Sequence, residues 1–137
     1  MSAESDELRP EQLDRILTFL PIFEQPGYSF GEWQTQRGVF PYWAASPEVT
    51  AFVEALHREQ FIAPFDWVSW ADEAHRYTEG GEAALATADL ATLRKLVTAY
   101  VRADRFSAGT LASMFQSGQI IAILRRLRQI RDSLSNS

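Results

Sequence analysis

The sequence predicts a mainly α protein, a compact single-domain bundle of about six helices with one small β-hairpin over about residues 28–45. Three observations predict it. Apolar residues recur at helical spacing through most of the chain, as in Leu90, Leu93, Leu96, Val97, Tyr100 and Val101. Helix-start signals such as Ser46-Pro47 and Asp89 precede these stretches. Period-two alternation is confined to one aromatic segment, where Tyr28 and Phe30, then Phe40 and Tyr42, flank the turn signal Thr35-Gln36-Arg37-Gly38. With 137 residues, 46% of them apolar, the chain fits one domain with a real core.

In chain order, residues 1–8 read as a polar, disordered tail, and 9–137 as the helical domain. A first helix spans about Pro10 to Leu20, with Leu13, Ile16, Leu17 and Leu20 on one face, and Pro21 should kink or end it. Pro26-Gly27 marks a turn before the hairpin, which must lie on the helices because two strands alone are marginal in water. Ser46 caps a helix carrying Val49, Phe52, Val53 and Leu56, ending near Gln60. Asp66 caps the next, with Phe65 and Trp70 at hydrophobic-staple spacing and Gly80-Gly81 as the stop; residues 82–87 read as a helical turn. Asp89, or Thr87, starts an amphipathic helix to about Asp104, with Arg94, Lys95, Arg102 and Arg105 on its other side. Ser107 caps a short helix stapled by Phe106 and Leu111, and Gly118 ends it. In the last helix Ile120, Ile123, Leu127, Ile130 and Leu134 recur at spacings of 3, 4, 3 and 4, the pattern of a coiled-coil seam. Its first turn is broader, since Ile121 and Leu124 are apolar as well. This predicts a buried start and a narrow end that pairs two copies, an interface of Ile123, Leu127, Ile130 and Leu134.

The composition excludes several classes of function. No run approaches the roughly 18 apolar residues of a membrane span. The acidic start, Met1-Ser-Ala-Glu-Ser-Asp-Glu, is no secretory signal. Without cysteine there is neither a disulfide nor a thiolate metal site. A cytoplasmic location is the simplest expectation. Net charge is −5, unevenly spread: residues 1–89 hold 16 of the 18 acidic side chains and 5 of the 13 basic ones. Either the basic C-terminal helices dock on an acidic N-terminal layer, or they form a face for nucleic acid. The first is favoured, because the whole molecule repels polyanions.

Each chemical motif has a plainer structural alternative. Gly27-Tyr28-Ser29-Phe30-Gly31 matches the nucleophile-elbow pattern, but no strand-to-helix turn is predicted there. Glu54 with His57, and Asp72 with His75, place a carboxylate and a histidine three residues apart on two helices, as in di-metal bundles. Such sites need carboxylates from two further helices, and the helix from Asp89 offers no inward one, so no metal site is assigned. Glycine-rich phosphate loops are absent, and no cofactor is implied. The pair hinged at Gly118 has helix-turn-helix form, but its second helix opens with Gln119, Ile120, Ile121, Ala122, Ile123 and Leu124, a surface made for burial. Arg125, Arg126, Arg128 and Arg131 follow, and suit phosphate contacts without sequence reading.

Of 17 aromatic residues, 14 lie between Phe19 and Tyr77. A bulky core is the default reading. A ligand pocket of Trp33, Trp43, Trp67 and Trp70, with Asp66 and Arg105 as polar handles, is the alternative.

The chain resembles a bacterial family of small proteins known only as a domain of unknown function. The resemblance rests on Phe19-Leu20-Pro21-Ile22-Phe23-Glu24, Ser46-Pro47, Phe65-Asp66-Trp67, Ala88-Asp89-Leu90-x-x-Leu93-Arg94-Lys95-Leu96, and above all Asp104-Arg105-Phe106 through Gly109, Leu111, Gly118 and Ile123-Leu124-x-Arg126-Leu127. It implies a bacterial origin and a compact single domain, and brings no activity or cofactor. Ser107 departs from the cysteine of such relatives, which argues against a thiol-dependent function.

Together these readings favour a non-catalytic binding or protein-interaction domain, with a homodimer or an unknown protein as partner. Nucleic-acid binding by the C-terminal helices is one alternative. An enzyme or small-ligand receptor using the aromatic half is the other.

Overall fold

A computed structural model describes residues 8–104 and 109–135, with only the backbone of Val39 and Ser135. The elements are α1 (Pro10–Leu17), α2 (Leu20–Phe23), β1 (Gly31–Gln36), β2 (Val39–Ala45), α3 (Pro47–Arg58), α4 (Ala71–Leu85), α5 (Leu90–Asp104), α6 (Thr110–Gln116) and α7 (Gln119–Ser135). The protein is therefore mainly helical with one antiparallel hairpin, as the periodicity predicts.

The first helix is split. The Thr18 hydroxyl donates to the Arg15 carbonyl at 2.7 Å, and α1 ends before Pro21 is reached. Pro21 then lies in the first turn of α2, where a missing N–H costs nothing, so it opens a helix rather than ending one. The hairpin begins at Gly31, later than the alternation suggests. Tyr28 and Phe30 fold down onto Phe23, with ring centroids 5.7 and 5.6 Å away. Their period of two reflects two core contacts on either side of Ser29, not a strand. Trp33 faces Trp43 and Gln34 faces Tyr42; nearer the turn the register slips, so that Gln36 faces Val39. The slip leaves Phe40 and Pro41 opposite Thr35, a β-bulge that accommodates a proline.

Ser46 caps α3 as predicted, its hydroxyl accepting from the Val49 N–H at 3.2 Å. Asp66 does not cap α4 directly. It accepts from the Ser69 N–H at 3.3 Å and closes a turn, and the helix starts at Ala71. Gly81, at φ 58° and ψ −141°, breaks α4 where the glycine pair predicts a stop. This conformation is open essentially to glycine alone. Asp89 caps α5, accepting from the Thr92 N–H at 2.8 Å. Asp104 accepts from the Leu111 N–H at 3.0 Å and so holds the start of α6. The predicted cap Ser107, the staple residue Phe106 and most of the predicted tail lie outside the described residues. Leu8 packs against the core. Gly118 takes the left-handed conformation between α6 and α7, at φ 88°.

The most connected helix is α7, which packs on α1, α2, α4, α5 and α6. Ile120, Ile123, Leu124 and Leu127 supply its buried face. At one end of the core, Phe115 sits edge-on to Phe23 and Phe52, with centroids 5.5 and 5.9 Å away. The uneven charge is used in this docking. Arg131 pairs with Asp14 at 2.7 Å, and Arg125 with Glu24 at 2.7 Å and Glu82 at 3.5 Å. Arg126 donates to the Ala88 carbonyl at 2.8 Å. Arg94 reaches the carbonyls of Gln60 and Phe61, at 2.9 and 3.1 Å, and holds the reversal after α3, where Gln60 has a left-handed φ of 61°.

Candidate interaction surface

Two strands make a sheet with two open edges, and this one is fastened to the helices by few side chains. Trp43, on β2, stacks on Phe115 with centroids 6.3 Å apart. Trp33, opposite it on β1, lies beside Gly109, where an added Cβ would come within 3.2 Å of the indole. The Trp43 indole N–H is buried without a hydrogen-bond partner among the described residues. Gly31 is wedged under the same indole and has no room for a side chain: a Cβ there would meet the Ala44 carbonyl at 2.6 Å and the Trp43 ring at 2.7 Å.

The remaining large side chains of the hairpin face water. Phe40 is 91% exposed, Tyr42 48% and Trp33 47%. Three exposed rings thus sit on one short arm, Trp33 and Tyr42 on its opposite faces, more exposed aromatic side chain than any other element of the described fold carries. The sequence predicts the hairpin but places these rings in the core or a pocket; their exposure is what it does not predict. The available signal was Phe40-Pro41: proline inside a strand pattern marks an edge.

The predicted pocket residues fall into two groups. Trp33 and Trp43 belong to the hairpin. Trp70 stands at the head of α4, edge-on to Phe65 at 5.9 Å and stacked on Tyr77 at 6.4 Å. The Lys95 ammonium lies 5.8 Å from the Trp70 ring centre, so α5 supplies this group with its cation. Trp67 is half-buried and Asp66 exposed in the turn before α4, while Arg105 lies outside the described residues. A separate depression of about 390 Å³ opens where α4 meets α7, lined by Gly81, Glu82, Gly118, Gln119, Ile121 and Arg125. It contains none of the predicted pocket residues.

The seam predicted along α7 is also divided. Ile123 and Leu127 are 1% and 0% exposed inside the protomer's own core, so they have no surface to offer a second copy. Ile130 is half-buried against that core, and Leu134 is 43% exposed. A broad apolar first turn needs a whole bundle around it, and the intramolecular core supplies one.

The remaining motifs find ordinary surroundings. The Ser29 hydroxyl faces its own loop, donating to the Gly31 carbonyl at 3.4 Å, and the segment runs from a helix into a strand, the reverse of a nucleophile elbow. His75 pairs with Glu79 at 3.2 Å, one turn on, rather than with Asp72; Glu54 and His57 are exposed on α3. Among the described residues no three His, Asp or Glu side chains gather as metal ligands would. No described helix is long and apolar enough to cross a membrane.

Fold and surface thus define a small helical domain bearing an exposed aromatic hairpin. The chain belongs to the family of unknown function DUF6508, whose model matches residues 8–133. No curated protein and no solved structure shows significant similarity to it.

Proposed function

We propose that this protein is a non-catalytic interaction domain and that the hairpin is its contact element. One observation carries the reading: Phe40, Tyr42 and Trp33 stand in water on a two-stranded sheet while the rest of the large apolar side chains are mostly packed. Aromatic side chains are the residues on which binding energy concentrates when a partner desolvates them. The nucleic-acid reading has less support. Arg125, Arg126 and Arg131 are spent on the chain's own carboxylates and carbonyls, and the first turns of α7 are buried.

Photo-crosslinking in the native host tests this. A crosslinking amino acid replaces Phe40 in one strain and the exposed Asp72 of α4 in another. Adducts to a macromolecule are expected from position 40 well above those from position 72. Equal yields, or none from position 40, would refute the reading.

A further inference from the structure

We infer that the hairpin's partner is a second copy of this chain, joined through the outer edge of β1; this rests on the interaction reading above. The two edges of the sheet differ. On β2 the bulge at Phe40 and Pro41 interrupts the ladder and removes an N–H, which blunts that edge. β1 contains neither proline nor bulge. The Phe30 carbonyl accepts from the Ser46 N–H at 2.8 Å, so its peptide group faces β2. By strict alternation the N–H and C=O groups of Gly31, Trp33 and Thr35 face outward. Among the described residues those of Trp33 and Thr35 have no partner, while the Gly31 carbonyl accepts from the Ser29 hydroxyl at 3.4 Å; the Trp33–Thr35 row is the template onto which another strand adds.

Charge selects which strand. Along β1 the residues from Trp33 to Gln36 are uncharged. Glu32 stands near one end and Arg37 just past the other. Both are exposed, and neither makes an ion pair or side-chain hydrogen bond among the described residues. Two copies of β1 related by a two-fold axis run antiparallel. That arrangement brings the Glu32 end of each beside the Arg37 turn of the other, giving two complementary contacts from one self-matching edge. A parallel pairing would set like charges together. The molecule as a whole carries −5 and repels its copies elsewhere, whereas this edge is locally neutral. In that register the two-fold axis falls at Gln34, and the half-exposed Trp33 of each copy stands opposite Thr35 of the other.

Sedimentation equilibrium of the full chain tests this. The wild type should be a dimer. Glu32→Arg or Arg37→Glu alone opposes like charges and should raise the dimer Kd by about tenfold or more. The double variant E32R/R37E restores complementarity and should return the Kd close to wild type. Thr35→Pro removes an outward N–H without touching a β1–β2 bond and should give a monomer. Circular dichroism and thermal melting confirm that each variant is folded. A wild-type monomer at every concentration, or a dimer indifferent to the charge changes, overturns the proposal. If that monomer still crosslinks to a different protein from position 40, the second copy is excluded and the interaction reading survives.

Discussion

The indole of Trp43 and the ring of Phe115 stack with centroids 6.3 Å and planes 30° apart, and this contact joins the hairpin to the helical body. Phe115 is fully buried and also touches Phe23, Phe30 and Phe52, so one ring serves both the bundle core and the arm. Phe115→Ala should therefore cost about 3–5 kcal/mol, measured by urea unfolding. Trp43→Phe is a different case. It loses area but also removes an indole N–H that is buried without a partner among the described residues, a group that costs about 1–3 kcal/mol when left unpaired. Its destabilisation should fall well below that of Trp43→Ala, and equal losses would show that the indole N–H is satisfied in solution.

Gly31→Ala should disrupt the hairpin and spare the helices. Its Cβ would stand 2.6 Å from the Ala44 carbonyl, a backbone atom that cannot move without breaking the ladder. Near-ultraviolet circular dichroism from Trp33 and Trp43 should collapse while the far-ultraviolet helical signal stays. At Gly27 the same substitution meets open space, and its cost comes only from a φ of 75°. A Gly31→Ala protein with unchanged tryptophan dichroism would contradict the close approach.

How much of this was legible beforehand depends on whether the signal was local. The caps at Ser46 and Asp89 and the glycine breaks at Gly81 and Gly118 were readable because each is set by a few neighbouring residues. The fate of the α7 stripe was not. A spacing of 3 and 4 describes any buried helix face, and whether Ile123 and Leu127 meet a partner or their own core depends on where five other helices lie. Aromatic density misled for the same reason. Phe52 and Phe40 are alike in composition, yet one is 1% exposed and the other 91%. Composition leaves core and pocket both open for the aromatic segment, and the fold divides its tryptophans between the hairpin and the region at the head of α4.

Tyr100 joins three helices through polar groups. Its hydroxyl meets the Thr78 hydroxyl at 2.5 Å and accepts from the Gln119 amide at 3.4 Å, and Gln119 also donates to the Tyr77 carbonyl at 3.3 Å. Burial pushes the Tyr100 phenol above its ordinary pKa, against hydrogen bonds from Thr78 and Gln119 that pull it down. Tyr100→Phe keeps the ring and removes these bonds, but Thr78 still donates to the Ala74 carbonyl and Gln119 to the Tyr77 carbonyl, so a loss of about 0.5–1.5 kcal/mol is expected. Removing Thr78 as well, by Thr78→Val, should cost less than the sum of the two single changes, since both remove one shared contact. Strict additivity in a double-mutant cycle would show that the pair is not coupled.

Acid should unfold the protein through a small set of carboxylates that hold separate elements together. At Glu59, burial raises the carboxyl pKa, but hydrogen bonds from Arg15 and Arg58 outweigh it and hold the group below its ordinary value. This ties α1 to the end of α3, with Arg15 at 3.0 Å. The Arg131 hydrogen bond lowers Asp14, and bonds from Thr92 lower Asp89. A carboxylate lowered by folding stabilises the native state above its unfolded pKa, and that contribution is lost as pH falls through the folded value. Stability should thus be level from neutrality to about pH 5 and decline below, where carboxylates titrate. Glu59→Gln keeps the shape of the side chain and removes the charge. It should lower the melting temperature at pH 7 and narrow the gap to wild type as the pH falls below 4, because the wild-type group then becomes neutral too. A gap that stays constant down to the lowest pH at which the fold persists would assign the role of Glu59 to packing and not to its charge.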